Sequence, residues 1–264
     1  MINSETVYIV ITPPATLDEK LIKGVADILN KNMYDARLLL TGEIPKIVAH
    51  YENMQTAEPV LHTLKELGIE TIALNDSVFS QPREMFKAYT LAFGKKEVVF
   101  VDRSGTEKRV GDNDAFLIIA GKIQTSIESE SIITRKKLNI TSTLLTGGIP
   151  IHKKVKEKTT THSQETEYFL RLYSRKPLDS FIAISQHDMD YSFLGEKTAM
   201  STRANFITLI STIQELFPQA IFNDSLSKSF GITSSHSRSW DDIEMHCRLI
   251  YAYNLVKNGL DPAI

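Results

Sequence analysis

Three stretches of this sequence bring side chains capable of chemistry close together. The first is a pair of basic clusters, RKK (Arg135, Lys136 and Lys137) and HKKVKEK (with Lys153, Lys154, Lys156 and Lys158), separated by a segment containing TLLTGGIPI. Residues 131–160 hold seven Lys or Arg against one Glu, which leaves +6. Cations flanking a glycine-containing turn can hold phosphate, an anionic headgroup or an acidic partner surface. The competing interpretation, and the usual one for a charge run, is a solvated hairpin whose outward face is basic. Single-stranded nucleic acid would call for aromatic residues among the lysines, and none stands between 131 and 160.

The second stretch is SQHDMDYSFLG, with His187, Asp188 and Asp190. A histidine and two carboxylates can ligate a divalent metal. On a strand, however, His187 would point away from both aspartates because side chains alternate. A further ligand would then have to come from His162, His236 or His246. A polar turn with an aspartate accepting backbone hydrogen bonds is the favoured alternative, and no metal ligand is assigned. The third is Cys247, the single cysteine, beside His246. Successive residues on a helix do not face each other, so no Cys/His pair forms, and a small core residue is expected. LLTGGIP lacks the Lys-Ser/Thr of a phosphate loop. The hydroxyls, histidine and glutamates of KTTTHSQETE sit in no nucleophile-elbow context. No catalytic residue and no cofactor is assigned.

The whole composition bounds the classes open to the chain. It has 264 residues, 42% hydrophobic and 23% charged, with a net charge of −2. These values fit an ordinary globular protein and exclude a broadly basic nucleic-acid binder. One cysteine permits no internal disulfide, which points to a reducing, cytoplasmic setting. MINSETVYIVITPP lacks the basic start of a signal peptide, and no run approaches a membrane span. The small net charge hides an asymmetry, because residues 1–76 hold six Lys or Arg against eleven Asp or Glu, a balance of −5. This acidic part can dock on the basic segment, in its own chain or another copy's.

The elements follow from periodicity and punctuation. VYIVI reads as a strand ended by TPP. Thr16 and Glu19 have the form of a capping box, and Leu17, Leu21, Ile22, Val25, Ile28 and Leu29 then make a helical stripe. MYDARLLL is a second helix stopping near Gly42, and Pro45 opens the strand KIVAHY. Thr56 as N-cap would place Pro59 in the first turn of a third helix, which Gly68 ends. IETIALN closes a strand–helix–helix–strand–helix–strand order. This segment, residues 7–75, resembles the C-terminal domain of the bacterial ribosomal stalk protein. The counterparts of that family's pattern are NMYDAR (Asn32–Arg37), Pro45, TAE (Thr56–Glu58) and Gly68. The resemblance implies a small α+β domain. Lys31, Asn32 and Met33 stand at the family's glycine-rich junction and Tyr34 replaces its first motif lysine, so no functional residue carries over.

Beyond residue 80, QPREMFKAYTLAFG reads as a helix with Met85, Phe86, Tyr89 and Phe93 on one side and Gly94 as its cap. KEVVFVDRSGTEKRV reads as a hairpin turning at Ser104 and Gly105. DAFLIIAGKIQTSI, YFLRLYSR and SFIAIS are strands, the first of them central. STRANFITLISTIQELFP is a helix with Phe206, Ile210, Ile213 and Phe217 on one face, stopped by Pro218. Antiparallel-type strands followed by one amphipathic helix resemble, by element order, a pleckstrin-homology-like barrel. GITSSHSRS reads as a polar linker. WDDIEMHCRLIYAYNLVKNG is a last helix that docks back on the core or binds a partner, with Asp241 and Asp242 at its positive end.

The sequence therefore predicts an α+β protein: a stalk-like βααβαβ domain over 1–76, a β-rich, PH-like domain over 80–226, and a linker with a C-terminal helix over 227–264. The expected function is non-enzymatic protein–protein binding or self-association. Anionic-ligand or membrane-surface binding through Arg135–Lys137 and Lys153–Lys158 is the alternative. A metal-dependent enzyme using His187, Asp188 and Asp190 ranks third.

Overall fold

The apolar run Val7–Ile11 forms β1, the middle strand of a three-stranded antiparallel sheet ordered β2-β1-β3, with β2 at Lys46–Tyr51 and β3 at Thr71–Asn75. The computed structural model describes residues 5–80, 83–138, 152–175, 180–228 and 239–262, with side-chain surroundings for all of these except 125–164. Helices α1 (Glu19–Leu29), α2 (Met33–Leu39) and α3 (Met54–Glu66) cover this sheet. Ile22, Val25, Ala36, Ala57 and Leu64 pack against Val7, Ile9 and Ile11 in one core. The expected order of six elements is present.

Two helix starts differ from expectation. Asp18, not Thr16, caps α1, its carboxylate accepting from the Leu21 N–H at 2.6 Å. Asn53, not Thr56, caps α3 and accepts from the Thr56 N–H at 3.1 Å. An asparagine or aspartate one turn ahead of the apolar stripe out-competes the threonine as a short, strong acceptor. Pro59 consequently lies in the second turn of α3 rather than the first. Gly68 does end the helix, at φ +80, with its N–H on Lys65 C=O and the Ile69 N–H on Leu64 C=O. That pair of bonds is a Schellman motif, and the left-handed φ suits glycine.

A four-residue helix, α4 (Ser77–Ser80), leads to a larger mixed sheet. Its order is β11-β8-β9-β10-β4, with β4 at Glu84–Lys87, β8 at Ala115–Leu138, β9 at His152–Ser174, β10 at Ser180–Ser185 and β11 at Ile221–Asn223. β8 lies inside the sheet, as its unbroken apolar run predicts. The strands are not all antiparallel: β4 runs parallel to β10, and β11 parallel to β8.

Helices cover both faces of this sheet. Leu170, Leu172, Ile182 and Ile184 meet Phe206, Leu209, Ile213 and Phe217 of α5 (Thr202–Leu216, with Phe217 at its C-cap). Phe169, Tyr173, Phe181 and Ala183, from the same strands at the alternate positions, meet Ile243, Cys247, Ile250 and Tyr251 of the helix Trp240–Lys257. A short helix, α6 (Ser225–Lys228), precedes that one, which is therefore α7. Burial on two faces explains why SFIAIS shows no polar alternation. α7 docks back on the core, and its other contacts reach the first sheet: Leu249 and Ala252 pack with Val10, Leu74 and Val78.

The segment QPREMFKAYTLAFG is not a helix. It supplies β4 and then β5 (Thr90–Phe93), the first strand of an antiparallel meander with β6 (Glu97–Val101) and β7 (Glu107–Gly111). The Ala88 N–H bonds Ala183 C=O at 3.0 Å and the Tyr89 N–H bonds Val101 C=O at 2.8 Å, so two sheets take the backbone that a helix would have used internally. Short apolar runs fit both periods, and available strand partners decide between them. Gly94 makes the β5–β6 turn instead of a cap. The expected hairpin at Ser104 and Gly105 is β6–β7.

Met1–Ile123 together with Glu167–Ile264 form one compact unit, and Gln124–Thr166 form a second. Among the described residues, no helix is long and apolar enough to cross a membrane. The expected linker falls at 231–239, of which 231–238 lie outside the described residues.

Candidate functional site

A cleft of about 940 Å³ opens in the first unit, along the edge strand β4. Its long side is the continuous stretch Glu84–Tyr89. Its floor comes from Ala183 and Ser185 of β10 and from Glu167 and Arg171 of β9. Trp240, Asp241 and Glu244, in the first turns of α7, make one wall, and the β6–β7 turn with Asp102, Arg103, Ser104 and Thr106 makes another.

Register fixes how β4 faces this space. Met85 stands opposite Phe181, and Lys87 opposite Ala183. Both side chains therefore lie on the α7 side of the sheet, while Phe86 packs into the α5 side core. In a parallel pair, alternate residues direct both backbone groups to one neighbour. The Ala88 N–H to Ala183 C=O bond puts Ala88, Phe86 and Glu84 in phase with β10. The N–H and C=O of Met85 and Lys87 therefore point away from it, towards the open edge.

Arg171 is the most constrained group of the floor. Its side chain is 3% exposed, and its Nε and Nη2 donate to Glu244 Oε1 at 2.8 and 2.5 Å. Nη1 donates to Leu170 C=O at 3.3 Å. The guanidinium lies 5.1 Å from the Phe169 ring centre, 5.5 Å from Trp240 and 6.0 Å from Phe181. Packing between rings thus adds cation–π attraction to a buried ion pair. At the rim, Arg103 lies 4.8 Å from the Tyr89 ring centre and donates to Asp188 at 3.4 Å. Asp102 accepts from Ser104 Oγ at 2.7 Å and from the Ser104 and Thr106 N–H groups at 2.8 and 2.9 Å. The Ser104 hydroxyl first, then these backbone donors, hold its carboxyl below the usual range. Six carboxylates (Glu84, Asp102, Glu167, Asp188, Asp241 and Glu244) and three cations (Lys87, Arg103 and Arg171) line the cleft, a balance of −3. Glu84, Lys87 and Asp241 are exposed and have no charged partner among the described residues.

The residues singled out by sequence fall elsewhere, apart from Asp188. Arg135, Lys136 and Lys137 lie on β8, and Lys153, Lys154, Lys156 and Lys158 on β9, its neighbour in the sheet. The whole of the intervening TLLTGGIPI segment lies outside the described residues. His187 and Asp188 occupy a turn after β10, not a strand. The Asp188 N–H bonds Ser185 C=O at 3.2 Å, and Asp190 Oδ1 accepts from the Ser192 N–H at 3.0 Å, which is the polar turn favoured above. No group of three or more His, Cys, Asp or Glu among the described residues is placed to hold a metal ion. His246 Nδ1 lies 2.6 Å from Asp242 O, one turn back in α7. Cys247 is fully buried, and that burial pushes its thiol pKa well up.

Arg171 and Glu244 carried a signal in the sequence that periodicity alone passes over. Arg171 is the one charge in YFLRLYS, a strand with no polar face, so it demands a partner. Glu244 shares a helical face with Trp240 and Cys247, but nothing in the sequence joins the two elements. No family model, curated protein or solved structure matches this chain.

Proposed function

We propose that this chain is a non-enzymatic binding or adaptor protein that makes a protein–protein contact through the cleft beside β4. The observation that carries this reading is the edge strand itself, whose residues Glu84–Tyr89 run along a cleft of about 940 Å³. Small-molecule pockets of that size are mostly apolar with a few converging polar groups. Here nine lining side chains are charged, and the strongest cation, Arg171, is already committed to Glu244. Such a surface fits a polar, extended partner better than a compact ligand. A cytoplasmic setting belongs to the same reading, supported by the single, buried cysteine.

A second reading, anionic-ligand or membrane-surface binding, is favoured by one observation. The two basic clusters lie on neighbouring strands, β8 and β9, of one sheet.

Affinity purification of the full-length chain separates them. It is run beside the double variant Glu84→Lys with Asp241→Lys and beside reversal of Arg135–Lys137 to Glu, with mass spectrometry for bound lipid and nucleotide. The expected result is a protein partner lost in the cleft variant and kept in the reversal. Loss in the reversal alone, with co-purifying anionic lipid, would replace this reading by the second. A co-purifying small metabolite with no protein partner would sink both.

A further inference from the structure

Resting on the cleft as a protein-binding surface, we infer that its occupant is an extended, cationic peptide that adds to the larger sheet as a further strand beside β4. Three observations converge on that partner. First, the backbone groups of Met85 and Lys87 point away from β10, and no strand among the described residues pairs with β4 on that side. An exposed edge is a ready template for a further strand, because backbone groups gain hydrogen bonds without any requirement on sequence. Second, the edge sits in a walled cleft rather than on an open flank. A strand placed there would run between the β6–β7 turn and Trp240 of α7, and Met85, 40% exposed, offers apolar surface on the same side. Alternate side chains of the peptide would project to that side.

Third, the lining charge is −3, and the exposed carboxylates Glu84 and Asp241 have no charged partner among the described residues. Lysine or arginine at alternate positions would complement it. A nucleic acid or an anionic headgroup would be repelled by it. β4 is four residues long, so the paired core of the peptide is about four to six residues at roughly 3.3 Å each.

Lys87 provides the decisive substitution. Its N–H faces the open edge, so Lys87→Pro removes an outward donor without taking a bond from the β4–β10 ladder. Proline is tolerated on edge strands, and Phe86 before it is already extended. Lys87→Ala removes the same positive charge and keeps the donor. Charge attraction alone would make both variants bind a cationic peptide at least as tightly as the parent. Strand addition requires them to part.

The probe is a capped peptide of alternating lysine and valine, about eight residues long, with a glutamate–valine peptide as control. Trp240, the single tryptophan of the chain, lines the cleft and reports binding by fluorescence. The expected result is saturable binding of the lysine peptide only, kept in Lys87→Ala and weakened about three- to tenfold in Lys87→Pro, the loss of roughly one hydrogen bond. Amide exchange on the unmodified protein gives a second measurement, independent of how Lys87→Pro folds. Met85 and Lys87 amides should slow when the peptide is bound.

Equal binding by both variants, with no slowing at Met85 and Lys87, would overturn strand addition while leaving the cleft as a charged binding surface. Preference for the glutamate peptide, or no response to either, would overturn the cationic partner. The proposed function would then stand or fall on the affinity purification. Sedimentation of the full-length chain supplies the last arm. Self-association abolished by Lys87→Pro and kept by Lys87→Ala would assign the edge to a second copy and overturn the peptide partner.

Discussion

At Gly121 a single hydrogen atom sets a limit on packing. A Cβ there would run into the Phe169 ring, with Cε1 at 2.7 Å, and would stand 2.9 Å from Leu226 Cβ. These neighbours are fully buried and cannot give way together. Gly121→Ala should therefore destabilise the fold by about 1–3 kcal/mol, the usual cost of overpacking, measured by chemical denaturation. The Arg171–Glu244 pair is a second residue-scale test. Glu244→Ala leaves a guanidinium buried without its carboxylate and should cost about 3–5 kcal/mol, whereas Arg171→Met should cost much less. Equal losses in the two variants would show that packing, not charge pairing, dominates there. Asp102 gives a pH prediction. Its carboxyl pKa is lowered in the folded state, so its contribution is fully present above the ordinary carboxylate pKa and is lost as pH falls through the folded value. The stability gap between the parent and Asp102→Asn should accordingly be widest near neutral pH and close on acidification. None of these roles was legible from residue type alone. A glycine in an apolar strand, an arginine in another and an aspartate before Ser-Gly each signal a constraint, but the partner that imposes it comes from a distant element.

Among the elements, those with strong internal punctuation were legible and those that depend on a neighbour were not. Val7–Ile11, the helix Thr202–Leu216 and the helix Trp240–Lys257 follow directly from periodicity and caps. Ser239 and Asp242 complete a reciprocal capping box on α7, the Ser239 hydroxyl accepting from the Asp242 N–H at 3.1 Å. Ser239→Ala should lower stability by about 1 kcal/mol in the same denaturation assay. The segment that became β4 and β5 carried a helical stripe as good as many real ones. Its outcome was decided by β6, a few residues on, and by β10, which no local window contains. Pro59 is the opposite case, set in the second turn by a local contest in which Asn53 rather than Thr56 caps the helix. In the second turn of α3 its ring replaces an N–H that would bond Gln55 C=O. Pro59→Ala should restore that bond and raise the melting temperature, with a gain of about 1–2 kcal/mol after allowing for the looser unfolded chain. A fall in melting temperature would mean that the ring itself supports the packing of α3.

On the scale of the whole molecule, α7 is the element that joins the parts of the first unit. One stretch of it fills the core against β9 and β10, and Leu249 and Ala252 fill another against β1, β3 and α4. The N-terminal sheet, although its six-element order was readable from residues 7–75, shares its outer face with a helix drawn from the far end of the sequence. Loss of packing at that junction should therefore be felt on both sides. Leu249→Ala should cost about 2–4 kcal/mol. It should also speed amide exchange in β1 and β10 together, where an isolated N-terminal domain would leave β10 unchanged.

This dependence on α7 has a consequence for how the chain is made. Val10, Leu74, Phe116 and Leu117 leave the ribosome early, yet the helix that covers them follows only after residue 240. At roughly 5–20 residues per second, these apolar strands wait on the order of ten seconds for their lid. During that interval the nascent chain presents the kind of exposed apolar surface that chaperones shield, and a ribosome stalled before Trp240 would release a product without its covering helix.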